Sequence, residues 1–349
     1  MPATRLVSLD AFRGLTIAAM VVVNNPGTWS AVYRPLRHAE WHGLTPTDVI
    51  FPFFLFIVGV AIALSKPGPG RVLRRAAVIF ALGLLLNFVA NPDLATTRIP
   101  GVLQRIAVCY AAAALLYRST SWRTQALVMA ALLLGYWAAL TLVSVPGFGR
   151  GVLTPEGNLA AWIDRAVLGP HVLKVSRVYD PEGILSTLPA IATTLIGVLT
   201  GQWIESGRTP RAIYTGLIWT GMLGIALGAV WSLAYPLNKS LWTSSYVLVT
   251  AGLALLVFGA CYQAMDVNGW RAWATPFVVL GVNALALYFL SSLAAIALVQ
   301  TGAKRWIFEH AFAPSAAPID ASLAYASAFL LAWWCALWGL YRAGVRLRA

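Results

Sequence analysis

The segment His38-Ala39-Glu40-Trp41-His42-Gly43-Leu44-Thr45-Pro46-Thr47-Asp48 offers acid–base chemistry. It holds two of only four histidines in the chain, and imidazole titrates near neutral pH, at about 6.5 when unperturbed. The spacing is H-x-E-x-H. It is not the H-E-x-x-H that sets two metal ligands and a base on one helical face, and Gly43 and Pro46 interrupt any helix here. No metal is therefore expected, and a single histidine acting as general base is the economical reading. Asp48 or Asn24 would orient its ring. A plainer reading, interfacial histidines anchoring a helix end, accounts for the same residues.

Other polar groups stand where apolar sequence surrounds them. Asp10 and Arg13 are three apart, so one helical face can pair them; Asn24 and Asn25 close the same run. Arg98 and Arg105, with Gln104 beside the second, share a face if their segment is helical, although Pro100 restricts that to a first turn. Arginine presents planar donors suited to phosphate or carboxylate; snorkelling from a span end would use the same residues. Asp180-Pro181-Glu182-Gly183 offers paired carboxylates for a cationic or polyhydroxylated ligand, or an ordinary turn into a helix. In Asn238-Lys239-Ser240-Leu241-Trp242-Thr243-Ser244, Asn238 is suited to capping and Trp242 to the interfacial belt. Asn283 lies deep in an apolar run and needs a partner inside a bundle.

The elements that position these groups follow from composition. The chain has 349 residues, of which 59% are apolar or tyrosine and 11% charged, against about 25% charged in soluble domains. So few charges cannot cover a water-facing surface, and so many apolar residues exclude disorder. The fold class expected is an all-α integral membrane protein, a polytopic bundle. Spans of about 20 residues fall near 13–30, 47–65, 74–91, 102–118, 124–145, 184–204, 212–235, 242–264, 275–300 and 321–341. That makes ten, or eleven if the 146–183 connection hides a short span or re-entrant helix. An even count sets both termini on one side, where 14 of the 25 Lys and Arg gather; the positive-inside rule makes that side cytoplasmic. Here the net charge of +13 reflects orientation, and no nucleic acid is expected. Cys109, Cys261 and Cys335 sit in apolar runs and read as buried packing residues.

The run R-L-V-S-L-D-A-F-R-G-L-T-I, followed by V-N and by H-A-E-W-H-G-L-T-P-T-D-V-I-F-P-F-F-L-F-I-V-G, closely resembles the heparan-α-glucosaminide N-acetyltransferase family and its bacterial relatives. R-I-P-G-V-L-Q-R, Y-D-P-E-G-I-L-S-T, N-K-S-L-W-T-S-S-Y and the Asn283 region resemble it in the same order, from Arg5 to about Tyr288. The resemblance implies one transmembrane acyltransferase domain over 1–349, in a bacterial inner membrane. It would move an acetyl group from cytoplasmic acetyl-CoA to the amino group of a glucosamine-type sugar on the outer side. It implies His38 and Asn24 as catalytic. Asp48, Asp180, Glu182, Asn238, Lys239 and Trp242 would contact the sugar, and Asp10, Arg13, Arg98, Gln104, Arg105 and Asn283 the acyl donor. His42 falls where the animal enzymes carry Asn. The chain begins almost at its first span, without the luminal domain expected of the animal enzymes, so the acceptor stays open between free amino sugars and cell-wall fragments. The partners implied are acetyl-CoA, the amino sugar and the lipid bilayer, and a homodimer is left open. An amino-sugar permease without acyl transfer is the rival function.

Cysteines placed at Thr4 and Ala349, in a background without native cysteines, should both react with an impermeant reagent only from the cytoplasmic side. Labelling from opposite sides would exclude the even count.

Overall fold

The computed structural model describes residues 6–345. In chain order its helices are α1 (Val7–Asn24), α2 (Ile50–Ser65), α3 (Pro69–Ala90), α4 (Val102–Ser119), α5 (Trp122–Leu142), α6 (Leu159–Leu168), α7 (Thr187–Ile204), α8 (Pro210–Ser232), α9 (Ser244–Cys261), α10 (Thr275–Val282), α11 (Ala284–Gln300), α12 (Ala303–Ile307) and α13 (Pro318–Arg342). A single two-stranded antiparallel hairpin, Ser144–Val145 with Gly149–Arg150, is the β-structure among the described residues.

Eight of these helical segments are long and apolar enough to cross a membrane, and α10 with α11 makes a ninth if the pair is one span. The protein is an all-α, membrane-type chain. α4 has comparable length, 18 residues, but carries Gln104, Arg105 and Arg118 and is not among the nine. The expected span at 275–300 is not continuous. It breaks at Asn283, where the two helices meet at 66°, so Asn283 stands at a bend and not deep in a straight helix. The 146–183 connection contains α6, whose ten residues rise only about 15 Å against a hydrocarbon core of about 30 Å. It holds no eleventh spanning helix. Of the charges used for orientation, Arg5, Arg346 and Arg348 lie outside the described residues.

Contacts divide the chain into two compact units. The first comprises Glu40–Leu44 and Leu55–Gly259. Here α2 and α7 approach closely because Gly59 faces the carbonyl of Thr194 and Gly197 faces that of Phe56; a Cβ at either would collide with backbone. Small residues at such crossings are how helices associate where lipid removes the hydrophobic drive.

The second unit comprises Thr45–Phe54 and the described parts of Arg5–Ala39 and Ala260–Ala349. α1 begins where the Asp266 carboxylate accepts the N–H groups of Val7 and Ser8, each at 3.1 Å, an anion at the positive end of the helix. It ends at Asn24, earlier than the expected 30. Asn25 precedes Pro26, which disfavours helical backbone before it, and the Asn25 amide turns back to the Val21 carbonyl at 2.8 Å. α1 and α10 are pressed together through Gly14 against Phe277 and Gly281 against Asp10. Cys335 is exposed on α13 and Cys261 is half-buried, so only Cys109 is the buried packing residue expected of all three.

Gly281→Val should destabilise the folded protein by about 1–3 kcal/mol, the usual cost of overpacking, seen as a lower Tm in detergent. Gly70→Ala, where a Cβ meets nothing, should leave Tm unchanged.

Candidate active site

Asp48 is fully buried, and the chain folds around its carboxylate. Oδ1 lies 2.7 Å from His38 Nδ1. Oδ2 accepts the N–H groups of Ala39 at 3.1 Å and Thr45 at 3.0 Å, with Thr45 Oγ1 at 2.9 Å. Thr45 and Asp48 form a capping box at the turn Pro46–Val49 that leads into α2, the reciprocal arrangement that satisfies the first free N–H groups of a helix. Local structure thus pins Asp48, and Asp48 pins the ring. Donation of Nδ1–H to the carboxylate fixes the tautomer and leaves the basic lone pair on Nε2. The His38 side chain retains 47% exposure while that of Asp48 retains 1%. Asp48 was expected to contact the sugar; its burial instead makes it the group that orients His38.

In the same unit Asn24 ends α1 with its side chain exposed and without a side-chain hydrogen bond among the described residues, so it is Asp48, and not Asn24, that meets His38 Nδ1. Arg13 Nη1 lies 3.3 Å from Asp10 Oδ1 and 3.3 Å from the Gly281 carbonyl, joining the expected i,i+3 pair to the α10 backbone.

The other unit carries a second polar cluster. Arg98 does not share a helical face with Arg105, because α4 starts only at Val102. It lies in the preceding turn, where Asn87 Nδ2 holds the carbonyls of Arg98 and Pro100 at 2.8 Å each. Its guanidinium grips Asp180 side-on, Nε to Oδ2 at 2.8 Å and Nη2 to Oδ1 at 2.5 Å, and reaches Glu182 Oε2 at 2.5 Å. Asp180 further accepts the N–H groups of Leu173 and Glu182 and is 2% exposed. The cation these carboxylates hold is Arg98, and Asp180 has no face left for a ligand. Burial alone would raise Glu182, but Arg98, with Arg105 and Lys239, holds its carboxyl below the ordinary range. Arg98 is in turn raised: burial opposes its charge, and Asp180 and Glu182 more than restore it.

Arg105 reaches the same loop by another route. Its Nη2 donates to the Gly183 carbonyl at 3.2 Å and to Ser186 Oγ at 2.5 Å, and its guanidinium carbon stands 5.1 Å from the centre of the Trp242 ring. Arg105 is 2% exposed, yet among the described residues its Nε and Nη1 meet no acceptor, and neither does Gln104 Nε2. Such orphaned donors mark a place suited to a carbonyl or anionic oxygen. Trp242 is not in an interfacial belt. It is 1% exposed, donates to Thr193 Oγ1 at 3.1 Å, and has φ of 53°, a left-handed conformation that is a strong outlier for so bulky a residue. Asn238 caps its turn as expected, accepting the Leu241 N–H at 2.8 Å, and its Nδ2 lies 3.3 Å from His42 Nδ1. Burial lowers the His42 pKa, keeping that ring neutral at neutral pH.

Sequence reasoning passed over Thr45, Ser186 and Asp164. Thr45 had a readable signal, the T-x-x-D before an apolar run. Asp164 had none, since a lone acid on a short helix reads as solvated surface.

The fold and these clusters define a helical membrane protein with a histidine–carboxylate pair, a class that includes membrane acyltransferases. Residues 5–223 match the family described as "Heparan-alpha-glucosaminide N-acetyltransferase, catalytic", and the chain belongs to that family. It is 31% identical to heparan-alpha-glucosaminide N-acetyltransferase of Homo sapiens over 81% of its length and 52% of that protein. It is 29% identical to the same protein of Mus musculus over 82% of its length and 53% of that protein. The chain spans about half the length of these curated relatives.

Arg98→Gln should strand two buried carboxylates and cost about 3–5 kcal/mol, read as a fall in Tm at pH 7. A depressed carboxyl contributes stability above its unfolded pKa that is lost as pH falls through the folded one. The deficit of the variant should therefore shrink toward pH 4.

Proposed function

We propose that this protein is a membrane acetyltransferase, moving an acetyl group from acetyl-CoA to the amino group of a glucosamine-type sugar. The observation that carries the reading is the His38–Asp48 pair: a partly exposed imidazole whose tautomer is fixed by a buried carboxylate. A general base needs that arrangement, and a lipid-anchoring histidine has no use for it. The name of the human and mouse relatives supports the choice of transfer and acceptor class.

In this reading the sugar amine attacks the thioester carbonyl, forming the N–C bond while His38 Nε2 takes the amine proton. Collapse of the tetrahedral adduct breaks the C–S bond, and the proton on His38 neutralises the departing thiolate. Asp48 stabilises the imidazolium that forms in between. Asn24, whose amide is exposed and uncommitted, donates to the developing oxyanion. On the acyl-donor side we place Arg105, with its orphaned Nε and Nη1, and Gln104, Arg13, Asp10 and Asn283; the fit to acetyl-CoA rests on the arginine and amide N–H groups among them. Arg98 is spent on its carboxylates and organises the turn. On the acceptor side we place Glu182, Asn238, Lys239 and Trp242. The whole chain, 1–349, acts as one acyltransferase domain with ten spans and both termini cytoplasmic, in a bacterial inner membrane, transferring outward; a homodimer is compatible with the reading.

The rival, an amino-sugar permease, draws on the bend at Asn283, since broken helices build the binding sites of many transporters. Purified protein with radiolabelled acetyl-CoA and glucosamine decides between the two. The enzyme should give N-acetylglucosamine in detergent. No transfer to any amino sugar, with uptake into proteoliposomes lacking an acyl donor, would establish the permease. His38→Ala should abolish transfer and leave CoA binding intact. Asp48→Asn should lower kcat by about 10²–10⁴, Asn24→Ala should lower it by about 10²–10³, and His42→Asn should be tolerated. Direct attack predicts no acetylated protein by intact mass when enzyme and acetyl-CoA are mixed without sugar.

A further inference from the structure

Asp164 lies on the second turn of α6, in the 146–183 connection, and is 1% exposed. No basic group stands within ion-pairing distance of it among the described residues, which sets it apart from Asp180 and Glu182. Its ligands are backbone. Oδ1 accepts the N–H of Ile184 at 2.9 Å, the Asp180 amide lies near the same carboxylate, and Oδ2 presses on Gly183 so closely that no side chain fits there. The next residue, Arg165, donates to the Val178 carbonyl at 2.7 Å. On the carbonyl side of the same peptide, Gly183 accepts Arg105, Ser186 Oγ and Thr187 Oγ1. The peptide that joins Gly183 to Ile184 is thus held at both its carbonyl and its N–H, and the N–H is held by one buried carboxylate.

We propose that Asp164 is a positioning residue, whose ionised carboxylate fixes the Asp180–Ile184 turn and thereby the presentation of Glu182 to the amino sugar. The part concerning the sugar rests on the acetyltransferase reading; the part concerning the turn does not.

Burial pushes the Asp164 carboxyl up to about 6, the Ile184 amide opposing that and Asp180 adding to it. The charged and titratable groups that face it are Asp180, Arg105 and the Tyr136 hydroxyl. Ionised, the group accepts the Ile184 amide with its full acceptor capacity; protonated, it gives up part of that capacity. A carboxyl raised above its unfolded value supplies stability that is full below the unfolded pKa and lost as pH rises through the folded one. Above pH 6 the protein therefore keeps Asp164 charged at a cost to global stability while the turn gains its hold. A residue retained for packing alone would show no such opposition.

Asp164→Asn tests this with wild type beside it. Its Tm relative to wild type should rise between pH 5 and 7.5. Its KM for glucosamine should be about tenfold higher than wild type at pH 7.5 and nearly equal at pH 5, with a distinctly smaller change in the KM for acetyl-CoA, whose proposed partner Arg105 meets the same peptide at its carbonyl. The ratio of KM values cancels titration of the substrate amine. A ratio that is flat with pH, or an equal change in both KM values, would overturn the proposal. Amide hydrogen exchange on wild-type protein needs neither the variant nor activity. Protection of the Ile184 amide, corrected for intrinsic exchange, should rise from pH 5 to 7.5, and unchanged protection would overturn the proposal. Wild type that shows rising protection but transfers no acetyl group would fault the acetyltransferase reading and leave the turn mechanism standing.

Discussion

A carboxylate that leaves water must be surrounded by donors, and most of what is specific about this structure is the means by which a chain poor in charges meets that demand. Asp48 is the clearest case. Two backbone amides and Thr45 Oγ1 lie around its carboxylate, and the donor it still needs is the His38 ring. Removing an imidazole from that set would leave a buried charge short of a partner, which costs far more than one hydrogen bond is worth in water. The ring orientation is thus enforced by the carboxylate's own requirement. The element that supplies this requirement, a capping box, belongs to ordinary helix initiation.

The same demand is met differently at the 180–186 loop. There two carboxylates share one arginine, and the residual need of Asp180 falls on the backbone amides of Leu173 and Glu182. A long connection has no sheet ladder to satisfy its backbone, so buried side chains do it, and each then fixes the peptide it touches. This is why the 146–183 segment is ordered around Asp164 and Asp180, although its regular structure is part of a short hairpin, one ten-residue helix and a single 3-10 turn.

Membrane character was legible from composition alone, because 11% charge leaves no other solution, and most spans were legible to within a few residues. The ends were less so where proline chemistry decides them, as at Asn25-Pro26, which stops α1 early. The bend at Asn283 was not legible: the run on either side is uniformly apolar, and no proline or glycine stands at the break. Of the site, polar residues in apolar surroundings pointed to His38, Arg98, Asp180 and Glu182, since a charge near lipid requires a reason. What spacing could not give was who partners whom. Arg98 and Asp180 are 82 residues apart, so the pair is made by the tertiary fold, and each residue read separately looked free for a ligand. Asp48 failed in the opposite sense: its capping motif was in the sequence, but whether it faced the sugar or the histidine depended on burial.

Two features remain that local rules would remove. Trp242 adopts φ of 53°, a conformation whose strain is about 1–3 kcal/mol, and Arg105 is buried with most of its donors unmatched. The two are in contact, the guanidinium lying over the indole. A leucine at 105 would remove the unmatched donors, so stability does not explain the arginine, whereas burial of the indole offsets the strain at Trp242. The indole face screens part of the arginine's charge while making no hydrogen bond to it, which keeps Nε and Nη1 available. An aromatic floor under an arginine whose free donors point elsewhere is an arrangement that receives an oxygen, and a helix packed for stability alone has no cause to build it. The strain at Trp242 is then the consequence of bringing that floor beneath Arg105 from a turn already fixed by the cap at Asn238.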